Sequence, residues 1–124
     1  MNCFSGFDHP AIAAKNSAAL SKWYCEMLGY TVAAQNADPA FLLKAPDGTF
    51  LEIMSANDDP RAERQNHTPG LSHLAFRVSS FDEALKWLDE RGVEWFGEEG
   101  DALGGGRVRS FFDPENNLVQ IVQR

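Results

Sequence analysis

Ala45-Pro46-Asp47-Gly48-Thr49-Phe50-Leu51-Glu52-Ile53-Met54 decides the fold. It lies without a gap on Asp113-Pro114-Glu115-Asn116-Asn117-Leu118-Val119-Gln120-Ile121-Val122, 68 residues further on. Each stretch is a proline-containing turn that runs into a strand. A second match sets Phe7-Asp8-His9 on Leu71-Ser72-His73, 64 residues apart, and loop length absorbs the difference between the two offsets. The chain is therefore a duplication, and a repeat constrains the architecture before any single residue does.

The elements between these anchors repeat as well. Residues 71–78 alternate, with Leu74, Phe76 and Val78 on one face and His73, Ala75 and Arg77 on the other. Period two predicts a strand with one packed face. Ser80 then opens a helix with Glu83 as its capping box, Phe81, Leu85 and Leu88 recur at helical spacing, and Gly92 supplies the stop. In the first half Asn16 or Ser17 caps, Leu20, Tyr24, Met27 and Leu28 form the stripe, and Gly29 ends the helix. Three strands follow each helix, over 30–35, 41–45 and 49–55, and over 93–96, 107–112 and 118–123. The fold class is α+β: one domain over 1–124, made of two βαβββ modules at 1–56 and 70–124 with a polar linker at 57–69.

One helix covers one face of a four-stranded sheet, so the other face must meet a partner, water or a ligand. Two such sheets facing each other would enclose a cavity, and the alternation says which side chains line it. Leu51 and Ile53 form one set, and Phe50, Glu52 and Met54 the other; Val119 and Ile121 separate in the same way from Leu118, Gln120 and Val122. If the purely apolar sets pack on the helices, Glu52, Gln120, His73 and Arg77 face the cavity. His9 joins them as the repeat mate of His73, although Pro10 sits badly in a strand ladder.

Imidazole, carboxylate and amide oxygen together suit a borderline divalent ion. A glutamate between Phe50 and Met54 on a concave face is costly unless a cation or hydrogen bonds offset its burial. Each residue alone has a plainer reading, since a strand histidine is commonly a hydrogen-bonded structural residue and a strand glutamate commonly faces solvent. The symmetry of the duplication is what joins His9, Glu52, His73 and Gln120 into one candidate metal set. Phe50, Met54 and Arg77 share those faces and are the candidate substrate contacts.

Composition narrows the function classes. The chain has 124 residues, 44% apolar and 23% charged, which excludes disorder as its main state. No apolar run approaches the roughly 20 residues of a membrane span. A net charge of -7 repels phosphate backbones, so nucleic acid is not expected as a partner. Cys3 and Cys25 make no disulfide framework, and the start of the chain lacks the pattern of a signal peptide, so a cytoplasmic setting is expected. Gly104-Gly105-Gly106 precedes a strand and lacks a following Lys-Ser/Thr, so it reads as a flexible loop rather than a phosphate cradle. Glu98, Glu99 and Asp101 read as a solvated loop.

With these motifs in place, the chain resembles the vicinal oxygen chelate superfamily, which contains glyoxalase I, ring-cleaving dioxygenases, methylmalonyl-CoA epimerase, and fosfomycin and bleomycin resistance proteins. The resemblance is carried by Phe7-Asp8-His9, Trp23-Tyr24, Met27-Leu28-Gly29-Tyr30 and Phe50-Leu51-Glu52-Ile53 in the first half. In the second it is carried by Gly70-Leu71-Ser72-His73-Leu74-Ala75-Phe76 and Phe112-Asp113-Pro114-Glu115-Asn116. It implies paired modules forming a cup-shaped open barrel around a divalent metal, and a homodimer in which the cup is built within one chain or shared between two. The family's metal positions fall on His9, Glu52, His73 and Gln120. Gln120 departs from the pattern, because glyoxalase I enzymes typically carry a glutamate there that takes part in proton transfer. Ala13 departs too, standing where bacterial glyoxalase I enzymes have an arginine, which weakens the case for glutathione.

Three functions stay open at this point. The leading one is a divalent-metal-dependent lyase or isomerase acting on a small α-oxygenated carbonyl compound through an enediolate, with Glu52 as the catalytic base. The second is a non-haem iron dioxygenase using His9, His73 and Glu52. The third is a non-catalytic, drug-sequestering protein that binds a small molecule. The ligand types admit zinc, nickel, cobalt, manganese or iron.

Overall fold

Both halves fold in the order strand, helix, strand, strand, strand. The computed structural model describes residues 3–124, and the chain divides between Pro60 and Arg61 into two compact units. The first holds β1 (Ala11–Ala14), α1 (Ser17–Leu28), β2 (Thr31–Gln35), β3 (Phe41–Lys44) and β4 (Phe50–Ser55), in a sheet of order β1-β4-β3-β2. The second holds β5 (Leu74–Arg77), α2 (Phe81–Glu90), β6 (Glu94–Asp101), β7 (Arg107–Phe112) and β8 (Leu118–Gln123), in a sheet of order β5-β8-β7-β6. Neither sheet closes on itself. In each, the first strand runs parallel to the last, and the other pairings are antiparallel.

The register shows how faithful the duplication is. Ala11 lies opposite Glu52 in the first sheet, and Ala75 lies opposite Gln120 in the second. His9 and His73 each stand two residues before those alanines. Because side chains alternate along a strand, that spacing gives both halves the same relation between imidazole and oxygen donor.

The helices form where their caps and stripes dictate. Asn16 Oδ1 accepts a hydrogen bond from the Ala19 N–H at 3.0 Å, and Gly29 closes α1 in the left-handed conformation, which glycine adopts without steric cost. Leu20 and Tyr24 of α1 are buried, as are Leu43, Leu51 and Ile53 on the inner strands of the same unit. In the second unit Phe81, Leu88, Phe111, Val119 and Ile121 are buried. Side chains of this size each contribute about 1.5–3 kcal/mol on burial. Ser80 caps α2 by accepting from the Glu83 N–H at 3.3 Å, and Gln123 Oε1 adds a second acceptor for the Phe81 N–H at 2.6 Å. No described helix is long and apolar enough to cross a membrane.

Two sequence expectations need correction. Glu98, Glu99 and Asp101 are exposed, but they belong to β6, which continues past residue 96 through an irregularity between Phe96 and Gly100. Two glycines and three acids erased the alternation there, while Arg107 of β7 holds Glu99 through hydrogen bonds of 2.8 and 2.9 Å. The glycine run forms a hydrogen-bonded turn. The Gly105 N–H donates to the Ala102 carbonyl, the Ala102 N–H donates to the Gly106 carbonyl, and Arg124 donates to the Leu103 and Gly105 carbonyls. A side chain at Gly106 would collide with the Gln123 carbonyl. Finally, the strand expected over 71–78 is shorter, so His73 stands immediately before β5 rather than inside it.

The connector is not a bare tether either. Arg61 donates to Asn117 Oδ1 at 3.0 Å, and Arg64 donates to the carbonyls of Thr68, Pro69 and Leu71 at 3.0, 3.2 and 2.7 Å. The Arg61 bond ties the start of this stretch to the turn before β8, and the Arg64 bonds close residues 64–71 on themselves.

Candidate metal centre

In the first unit the uncovered face of the sheet carries His9, Ala11 and Ala13 beside Phe50, Glu52 and Met54. Their burial alternates with that of Ile12, Ala14, Leu51 and Ile53, which face α1. His9 Nε2 lies 3.9 Å from Glu52 Oε2, and His9 Nδ1 lies 2.7 Å from Asp8 Oδ2. Bonds of about 2.0–2.2 Å from one divalent ion to each atom would span such a pair. The donor chemistry of this half therefore fits a divalent cation, with Asp8 steadying the ring from behind.

The second unit repeats the design with different groups. His73 Nδ1 lies 2.8 Å from Ser72 Oγ, and Ser72 Oγ donates to Asn66 Oδ1. Gln120 Nε2 donates to Ser110 Oγ at 3.1 Å, which leaves Oε1 as the atom for ligation. No hydrogen bond joins His73 to Gln120 among the described residues. Nor do the described residues gather three or more histidine, cysteine, aspartate or glutamate side chains into one cluster.

The candidate substrate contacts differ in exposure. Phe50 is half-buried, and Met54 and Arg77 are exposed. Arg77 shares the His73 face of its strand and has no hydrogen-bond or ion-pair partner among the described residues. Arg109 is on the opposite face. It pairs with Ile121 in register, lies 4.3 Å from the centre of the Trp95 ring, and donates to the Gly97 carbonyl at 3.1 Å. Its role is packing and strand support.

Asp8, Ser72 and Ser110 bond candidate ligands and Asn66 bonds Ser72, contacts that the pattern of the sequence did not reveal. The available signal was the residue directly before each histidine in the repeat. A separate open cavity of about 670 Å³ in the second unit is lined by Arg61, Arg64, Gln65, Thr68, Glu94 and Phe112, and includes none of the candidate ligands.

Comparison with known proteins gives a family. The family model described as Glyoxalase/Bleomycin resistance protein/Dioxygenase superfamily matches residues 6–121. The glyoxalase family protein from Enterococcus faecalis superposes with a TM-score of 0.80 at 31% identity, covering 96% of this chain and 98% of that one. The uncharacterized protein YwkD of Bacillus subtilis (strain 168) is 28% identical over 121 residues, 94% of each chain. A mutant of the fosfomycin resistance protein FosX from Listeria monocytogenes, complexed with Mn(II) and 1S,2S-dihydroxypropylphosphonic acid, shares the fold. It has a TM-score of 0.76 at 21% identity, covering 96% of this chain and 90% of that one. With nearly its whole length matched and both βαβββ units in place, the chain belongs to the Glyoxalase/Bleomycin resistance protein/Dioxygenase superfamily.

Proposed function

We propose that this protein is a divalent-metal-dependent lyase or isomerase for a small α-oxygenated carbonyl compound. The observation that carries the proposal is the duplicated register. Each half sets an imidazole two residues before the strand partner of an oxygen-donor side chain, Glu52 in one and Gln120 in the other. His9, Glu52, His73 and Gln120 would hold the ion, whose identity among zinc, nickel, cobalt, manganese and iron the donor types leave open. When bound, the cation would supply Lewis acidity toward two neighbouring substrate oxygens.

The chain's own groups do the rest. Glu52 is the only carboxylate of the four, so it is the one member that can take a proton from substrate carbon at neutral pH. It would do so with its carboxylate free. Gln120 would be a neutral ligand and would leave the site net positive. Arg77, exposed and unpaired, engages an anionic group of the substrate, while Phe50 and Met54 supply apolar contact. The protein works as a homodimer in the cytoplasm. Replacing Glu52 with Gln should keep the metal and lose turnover and substrate-carbon deuterium exchange by about 100-fold or more. Full activity in that variant would remove Glu52 from the role of base. Oxygen uptake with a catechol would point to the dioxygenase reaction instead.

A further inference from the structure

We propose that the connector is part of the candidate metal centre: Asn66, acting through Ser72, is a positioning residue that holds His73 as its Nδ1–H tautomer. This rests on the reading of His73 as a ligand and extends it to a segment that sequence composition marks only as a linker.

The available protons decide the tautomer. A serine hydroxyl has one proton to give. Ser72 Oγ gives it to Asn66 Oδ1. The 2.8 Å contact between Ser72 Oγ and His73 Nδ1 can then be a hydrogen bond only if His73 Nδ1 carries the proton. A neutral imidazole protonated at Nδ1 presents Nε2 as a bare lone pair, the form a metal requires. Asn66 reaches Ser72 because of how the connector turns. The Thr68 N–H donates to the Gln65 carbonyl at 3.1 Å, Thr68 Oγ1 accepts from the Gln65 N–H at 2.8 Å, and Arg64 clamps the carbonyls on either side of Gly70.

The first unit reaches the same tautomer by a shorter route. Asp8 Oδ2 stands 2.7 Å from His9 Nδ1, and a carboxylate can only accept. One half thus uses an acceptor that carries charge. The other uses a hydroxyl made into an acceptor because its own proton is committed. The same position, directly before the histidine, serves both.

Nitrogen-15 NMR on the metal-free full-length protein, labelled at histidine and held at about pH 8, reads the tautomers without any metal or substrate. His9 and His73 should both show protonated Nδ1 and bare Nε2. Asn66→Ala should move His73 toward the Nε2–H form that free imidazole prefers, with His9 unchanged as the internal control. Asn66→Asp should restore Nδ1–H at His73, since a carboxylate there again takes the Ser72 proton. Zinc affinity, measured by competition with a chelator, should fall roughly 10- to 100-fold in Asn66→Ala and recover in Asn66→Asp. A wild-type His73 in the Nε2–H form overturns the proposal, as does an Asn66→Ala spectrum identical to wild type. Correct tautomers that respond to both variants in a protein that binds no zinc would sustain the positioning role and defeat the zinc-ligand reading alone.

Discussion

Glu52 and Gln120 hold the same place in the two units, and only one of them can accept a proton. That asymmetry sets the chemistry proposed for the site. In the proposed function Arg77 is the group that selects an anionic substrate. Arg77→Ala should raise KM for an anionic substrate by roughly ten- to 100-fold, the loss of one charge-assisted hydrogen bond, with a smaller change in kcat. Steady-state kinetics with charged and neutral analogues checks this, and equal losses for both analogues would assign Arg77 to structure. The face on which Glu52, Arg77 and Gln120 stand was legible in the sequence because strand parity fixes it, whereas His73 lies just ahead of β5. The partners Asp8 and Ser72 were not, because a bond between neighbouring residues leaves no periodic trace. Asn66 was hidden for a different reason: its position depends on the path of the connector, which Arg64 sets by gathering three carbonyls.

Among the elements, α1 and α2 were the most legible, since Asn16, Gly29 and Ser80 sit where helix caps belong and the apolar stripes bury as their spacing requires. β7 and β8 match their expected bounds. β6 was the least legible. Its second half lacks alternation and is held by charge, with Arg107 bonded to Glu99 and Asp82 and stacked 4.4 Å from the centre of the Phe81 ring. The hydrogen bond from Arg107 holds the Glu99 carboxyl below the usual carboxylate range. A carboxyl lowered in the folded state contributes stability that is present above its unfolded pKa and is lost as pH falls through the folded one. Glu99→Gln should therefore be less stable than wild type at neutral pH. The gap should close as pH drops below the ordinary carboxylate range. Urea melts across that window read the effect, and a gap that widens in acid would contradict the ion pair.

For the whole molecule, the duplication is the central fact. Two turns of the same design open the last strand of each unit: Asp47 Oδ1 accepts from the Thr49 N–H and hydroxyl, and buried Asp113 accepts from the Glu115 and Asn117 N–H groups. Both strands then carry an oxygen donor beside an alanine set two residues after a histidine. Each half supplies two of the four proposed ligands, and the proposed function assigns all four to one cation. The direct test is metal titration of the purified protein, with elemental analysis of the saturated species, for wild type, His9→Ala and His73→Ala. The account predicts one divalent ion per chain in wild type and loss of tight binding in either variant. Two ions per chain, or full retention when one histidine is removed, would contradict it.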